Sequence, residues 1–181
     1  ECNPRPIRFV WWTPPPMGFF KINCDGAFTV HGSKGAAGGV VRDWKGKFIL
    51  GFSSALSECS SALEAELWAI KIGMQTALKR GFKNLIVESD SLNAIQIIYA
   101  AQVQQSHSRL ALLLSSIYFF AGMFDRICWN HVFRETNSVA DGFAKHGLSL
   151  YHNEPITVFE SPPYFVESCL QVDRSGKIYC R

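Results

Sequence analysis

Four carboxylates stand out by type and setting. Asp25 lies inside an alternating apolar segment, Glu66 beside the apolar stripe of a helix, Asp90 at the end of a short apolar run, and Asp141 just after a helix-start signal. Magnesium prefers hard oxygen ligands of this kind, and a pair of ions needs several carboxylates because few other donors can bridge them. Two ions about 4 Å apart can activate a water on one side of a phosphodiester and stabilise the leaving oxygen on the other. If the fold gathers these acids, phosphodiester hydrolysis is the chemistry they suit.

Taken singly, each acid also has an ordinary explanation. Asp25 could face solvent on a half-covered sheet, although Gly26 and Ala27 leave the backbone open to close ligand approach. Asp90 could cap a helix, as could Ser89 or Ser91. Asp141 could favour the helix dipole, which is worth about 0.3–1 kcal/mol at a surface. Glu66 is harder to dismiss. Its helical neighbours Ala62, Ala69 and Gly73 are small, so this carboxylate points toward the sheet. Burying it unpaired would be costly, and a metal or a basic partner removes that cost. Glu64 falls beside Trp68, Lys71 and Gln75 and reads as a surface residue near Lys71.

The elements that must position these acids are readable as an α/β pattern. Phe19–Phe28 alternates as a strand, and Gly38–Trp44 and Lys47–Leu56 follow it as an antiparallel meander turning at Lys45-Gly46. A long helix capped by Ser60 or Ser61 carries Leu63, Leu67, Ile70, Met74 and Leu78 on one stripe and stops at Gly81. Leu85–Glu88 is a short strand, residues 91–104 and 107–121 are helical, and Arg126–Phe133 is a fifth strand. A last helix spans residues 138–146, capped by Asn137 or Ser138 and ended by Gly147. Strand–helix–strand units imply parallel pairing, hence a mixed five-stranded sheet with helices packed on it.

Length and composition set the frame. The 181 residues fit one domain of residues 18–149, preceded by a Pro-rich linker (1–17) and followed by a tail (150–181) ending in a turn at Asp173–Lys177. Apolar residues are 48% and charged residues 18%, enough to bury a full core. A net charge of +3 permits a polyanionic partner without demanding one. The six cysteines show no metal-ligand spacing and read as free thiols. No signal-peptide or transmembrane pattern is visible, so an intracellular protein, nuclear or cytoplasmic, is expected; the start at Glu1 suggests a piece of a longer chain.

Four segments then fall into a known order: Lys21-Ile22-Asn23-Cys24-Asp25-Gly26-Ala27, Glu64-Ala65-Glu66-Leu67-Trp68-Ala69-Ile70, Glu88-Ser89-Asp90-Ser91 and Asn137-Ser138-Val139-Ala140-Asp141. They resemble the successive motifs of type 1 ribonuclease H. With Trp12-Thr13-Pro14-Pro15-Pro16-Met17-Gly18 and His131–Asn137, the chain looks most like the ribonuclease H-like domains of plant non-LTR retroelements. The resemblance covers about residues 11–148. It implies a three-layer fold with helices on both faces and strand order 3-2-1-4-5, strand 2 antiparallel to the rest.

The resemblance also implies a metal-dependent endonuclease, a ribonuclease H hydrolysing the RNA strand of RNA–DNA hybrids. Asp25, Glu66, Asp90 and Asp141 would be catalytic and would hold two Mg2+ ions, with Mn2+ as a substitute. His131, ten residues before Asp141, matches a family histidine implicated in proton transfer or product release. A larger reverse-transcriptase-like polypeptide is the expected parent. Family members with a basic protrusion after the second helix grip the hybrid there, but residues 99–120 hold only Arg109 and His107 as basic groups. Grip would fall to Lys34, Arg42, Lys45 and Lys47, or to Lys79, Arg80 and Lys83. Two other readings are a domesticated nucleic-acid-binding or interaction domain with little or no turnover, and a related two-metal exonuclease. Four intact acids favour the endonuclease.

Overall fold

The computed structural model describes residues 7–30, 34–100, 108–151 and 154–180. In chain order, β1 is Phe9–Val10, β2 Phe20–Thr29, β3 Lys34–Arg42, β4 Phe48–Leu56, α1 Ala62–Lys79, β5 Asn84–Ser89 and α2 Leu92–Ala100. Then come α3 (Arg109–Ala121), β6 (Arg126–His131), a 3-10 turn (Arg134–Thr136), α4 (Ser138–Gly147), β7 (Thr157–Phe159), α5 (Tyr164–Arg174) and β8 (Tyr179–Cys180). The expected helical residues 101–104 and 107 lie outside the described residues, His107 included.

The main sheet has the order β6-β5-β2-β3-β4-β7. Its first five strands in chain order, β2 to β6, follow the expected 3-2-1-4-5 order, with β3 antiparallel to β2 and β4, and β5 parallel to both β2 and β6. The sheet is nevertheless six-stranded. Beyond residue 149, β7 pairs antiparallel with Gly51–Ser53 of β4, closing an edge that would otherwise expose backbone donors and acceptors. A second sheet joins the two ends of the chain, Phe9 opposite Cys180 and Val10 opposite Tyr179. Helix α5 adds Val166 and Leu170 to a core cluster with Val40, Val139 and Phe143. Packing therefore crosses both boundaries drawn at residues 17 and 149.

Helices cover both faces, and small residues set how closely they approach. A side chain at Gly26 would meet the α1 backbone at Glu66 N, 2.2 Å away, whereas one at Gly38 would meet the α4 backbone at Ala144 N, 2.1 Å away. The α1 face holds the main core, including Ile22, Cys24, Phe52, Leu67, Ile70 and Met74. Strand β3 begins at Lys34 rather than Gly38, because Gly35–Ala37 continue the ladder opposite Gly26–Phe28 despite their low strand propensity. No cysteine among the described residues is in a disulfide, and none of their helices is long and apolar enough to cross a membrane.

Candidate metal centre

Asp25 reaches the site from the middle of β2, where it is buried. Glu66 comes from the second turn of α1, lowered onto β2 because Gly26 offers no side chain. The openness of Gly26 thus serves the approach of the helix. Asp90 follows the last residue of β5. It is free of capping duty because Ser91 Oγ accepts from Ala94 N at 3.3 Å and so caps α2. One carboxylate oxygen from each of Asp25, Glu66 and Asp90 lies within 4.8 Å of the others.

Asp141, in the first turn of α4, lines the same cleft of about 360 Å3 but stands outside that group of three oxygens. Its carboxylate is taken by Lys145 at 2.6 Å, with Arg134 at 3.9 Å. The structure therefore assembles three acids tightly and holds the fourth on the cleft wall beside two exposed cations.

Two of the three, Asp25 and Glu66, are held against their charge without a cation. Burial, then repulsion from Glu66, Asp90 and Asp141, raises Asp25 to about 9. Burial and Asp90 raise Glu66 to about 8, while hydrogen bonds from Ser89 and the Gly26 backbone pull the other way. Burying like charges this closely is unfavourable unless a cation or a proton compensates. Hard oxygens at this spacing are the donor set a divalent ion takes, so the residues fit the metal expected from the sequence.

A supporting layer holds the acids in place. Ser89 Oγ donates to Glu66 Oε2 at 3.2 Å. Asn137, buried at the start of α4, does not cap that helix with its side chain. Instead its amide donates to the Cys24 carbonyl at 3.0 Å and to Asp90 Oδ1 at 3.2 Å, tying α4 to β2 and to the end of β5. Below Asp25 on its strand, Asn23 accepts from the Trp12 indole (3.1 Å) and Arg42 (2.7 Å) and donates to Glu88 (2.9 Å). Lys21 pairs with Glu88 at 2.6 Å and Arg42 with Asp173 at 2.6 Å.

Two residues differ from expectation. Glu64 is only 5% exposed. It receives Ser60 N (2.9 Å) and Ser60 Oγ (2.6 Å), its own N–H donates to Ser61 Oγ (3.1 Å), and Arg109 lies 3.3 Å away. It is the acid of a helix cap, not a surface partner of Lys71. Burial works against its charge, but the Ser60 bonds and Arg109 prevail and hold its carboxyl below the ordinary range. Arg42, at 1% exposed, cannot grip a substrate because its guanidinium is consumed by Asn23 and Asp173.

His131 ends β6 opposite Ser89 in the ladder and is exposed. It lines a neighbouring depression with Phe9, Trp11 and Phe133 rather than the acidic cleft. Of the aromatic residues suspected of exposure, Trp44 is open with Lys45 over its ring at 4.8 Å, and Trp68 is half-buried under Lys71 at 4.3 Å.

Comparison with known proteins places this arrangement. The model of a family described as reverse transcriptase-like matches residues 23–147, which contain all four acids. A curated Arabidopsis thaliana protein named for ribonuclease H is 32% identical over 177 residues, covering 96% of this chain and 27% of that protein. The chain thus spans about a quarter of the length of that relative. Among solved structures, the N-terminal RNase H domain of Rv2228c from Mycobacterium tuberculosis superposes with a TM-score of 0.65 at 22% identity, covering 72% of this chain and 94% of that one. LC11-RNase H1, solved in complex with an RNA/DNA hybrid, gives 0.64 at 18% identity, covering 72% and 96%. At these identities the structures speak for the fold.

Proposed function

Because the chain belongs to the reverse transcriptase-like family, with the ribonuclease H fold, we propose that it is a metal-dependent endonuclease hydrolysing the RNA strand of RNA–DNA hybrids. The observation that carries this reading is the meeting of Asp25, Glu66 and Asp90 oxygens within 4.8 Å, with Asp141 on the same cleft. These four would hold two Mg2+ ions, with Mn2+ as a substitute. Bound there, the ions supply an activated water and stabilise the departing 3′-oxygen.

The chain's own residues prepare that site. Gly26 lets α1 bring Glu66 to Asp25, Ser89 orients Glu66, and Asn137 fixes Asp90. Such supporting bonds set the aim of metal ligands. His131, exposed at the end of β6 beside the acidic cleft rather than in it, would serve proton transfer or product release as the family histidine does. Contacts to 2′-hydroxyls across the minor groove would select the RNA strand, and exposed lysines such as Lys45 and Lys47 would hold phosphates, so affinity should fall steeply with salt.

A second reading, a nucleic-acid-binding domain with little or no turnover, draws on the pairing of Asp141 with Lys145 outside the triad. One assay separates the two: cleavage of internally labelled RNA–DNA hybrid with magnesium, run beside Asp25→Asn. The nuclease reading expects internal cuts that need metal and fall more than about 100-fold in the variant, a ligand being at least as important as the groups that orient it. Hybrid that is bound but uncut, or cut equally by Asp25→Asn, overturns it.

A further inference from the structure

Beside the acidic cleft lies a second depression of about 290 Å3, walled by Phe9, Val10, Trp11 and Thr13 on one side and by His131–Phe133 and Thr136 on the other. Half of that wall precedes residue 23, where the family match begins. The aromatic faces there are open: Phe9 is 62% and Trp11 47% exposed. Exposed apolar side chains that adjoin in one patch, rather than scattered singly, mark interaction sites.

The Trp11 segment is fixed from three directions. The neighbouring Trp12 is buried, its indole donating to Asn23 and its ring lying 3.5 Å under the Arg42 guanidinium. Lys21 holds the Thr13 carbonyl at 2.7 Å, and β1 is paired with β8. Trp11 is thus presented on a rigid wall, and little ordering is needed when a ligand arrives.

The depression and the acids share a border. His131 stands opposite Ser89, whose hydroxyl bonds Glu66, and Val132 N donates to the Ser89 carbonyl at 3.0 Å. Phe133 lines the aromatic side, and the next residue, Arg134, lines the acidic side with its side chain 76% exposed. Among the described residues, no carboxylate lines the aromatic depression. The order across this border is metal-type acids, an exposed guanidinium suited to a phosphate, and aromatic faces suited to a base.

We propose that the Phe9–Trp11–Phe133 depression is a nucleobase-stacking subsite for an unpaired nucleotide that continues a strand leaving the acidic cleft. A paired base would have to be unpaired and unstacked first, so the subsite selects duplex ends and single-strand junctions over continuous hybrid. The proposal rests on the nuclease reading only for which phosphate lies at the acids.

The test is binding, with calcium in place of magnesium, of blunt hybrid and of hybrids carrying a single-stranded extension on each strand end in turn. One extension should tighten binding about 10-fold, in keeping with the value of stacking one base. Trp11→Ala should erase that gain and leave blunt hybrid unaffected, while Tyr164→Ala, an exposed aromatic on α5, changes neither. A short single-stranded oligonucleotide should quench tryptophan fluorescence in the wild-type chain, and Trp11→Phe should keep the affinity but lose the quench. Should Trp11→Ala fail to fold, the Trp11→Phe comparison decides. Equal affinity for blunt and extended hybrids, or equal weakening of both by Trp11→Ala, overturns the subsite. Cleavage of blunt hybrid with magnesium is read separately, so either proposal can fail alone.

Discussion

At the residue scale, the acidic cluster is a place where the metal-free protein works against itself. Asp25 at about 9 and Glu66 at about 8 stand well above ordinary carboxylates because burial and mutual repulsion favour their protonated forms. The folded state then binds more protons than the unfolded chain. The stability these protons confer is complete below the ordinary carboxylate range and is lost as pH rises through about 8–9. In chelator, the melting temperature should therefore fall steadily as alkaline pH is approached; with magnesium the slope should shrink and the melting temperature rise. Asp25→Asn should melt a few degrees above wild type in chelator near pH 8, since about 1 kcal/mol moves Tm by roughly 2–4 °C at this size. A pH profile indifferent to chelator would remove this electrostatic account. Asn137→Ala should cost about 1–3 kcal/mol in urea unfolding, the penalty for unpairing buried groups. It should also weaken magnesium stabilisation about 10- to 100-fold in metal concentration. Of the three converging acids, Glu66 is legible from helical spacing, whereas Asp25 and Asp90 have ordinary explanations singly and become legible through the order of the motifs and the family resemblance they carry. Glu64 is misread there because helical periodicity ignores the chain before the first turn, where Ser60 and Ser61 claim it. Asn137 reads only as a cap, since its two partners are 113 and 47 residues distant.

Between residue and molecule, the elements succeed where two surfaces are allowed to touch. Gly38 on β3 faces α4 at a distance that leaves no room for a methyl group: a β-carbon there would lie 2.1 Å from Ala144 N and 2.3 Å from the Phe143 carbonyl carbon. Backbone cannot rotate away as a flexible side chain can, so Gly38→Ala should force α4 off the sheet. The expected loss is about 1–3 kcal/mol or more in urea unfolding, with metal-dependent stabilisation falling as well because α4 carries Asp141 and directly follows Asn137. Full retention of both would mean that α4 is more loosely seated than its contacts indicate. The inner strands and α1 are readable from alternation, capping serines and Gly81, all local signals. Strand β7 is not, because three residues carry no period and its pairing depends on β4, about a hundred positions earlier. Helix α5 hides differently: its inward stripe is Val166, Leu170 and Asp173, and a carboxylate as third member looks like a turn until its partner is seen.

Across the whole molecule, that partner explains why the ends of the chain belong to the fold. Lys21, Arg42, Glu88 and Asp173 are all buried, two cations with two anions, and Asn23 and Trp12 join them into one network. It gathers the first strand of the main sheet, its two neighbours, the segment before it and the last helix. Burial pushes Arg42 down and Asp173 up, so desolvation opposes each charge and only their contact at 2.6 Å sustains the pair. Removing one partner is therefore more damaging than removing both. Asp173→Ala should lose about 3–5 kcal/mol in urea unfolding, because it strands a buried guanidinium. Arg42→Met combined with Asp173→Leu should recover most of that loss, since apolar groups of similar volume replace buried ion pairs at little net cost. Deleting residues 150–181 should be worse than Asp173→Ala, for it also uncovers the β4 edge and the Val40–Phe143 cluster. A deletion that melts like wild type would make the tail an appendage. The double variant also tests what the network does for the acids: Asn23 loses one of its two donors, two residues before Asp25. If magnesium still raises the melting temperature of the double variant as it does for wild type, the network anchors the chain ends and the cleft is held by Ser89, Asn137 and Gly26 alone. If the metal response falls while stability recovers, the charges beneath Asp25 help to aim it.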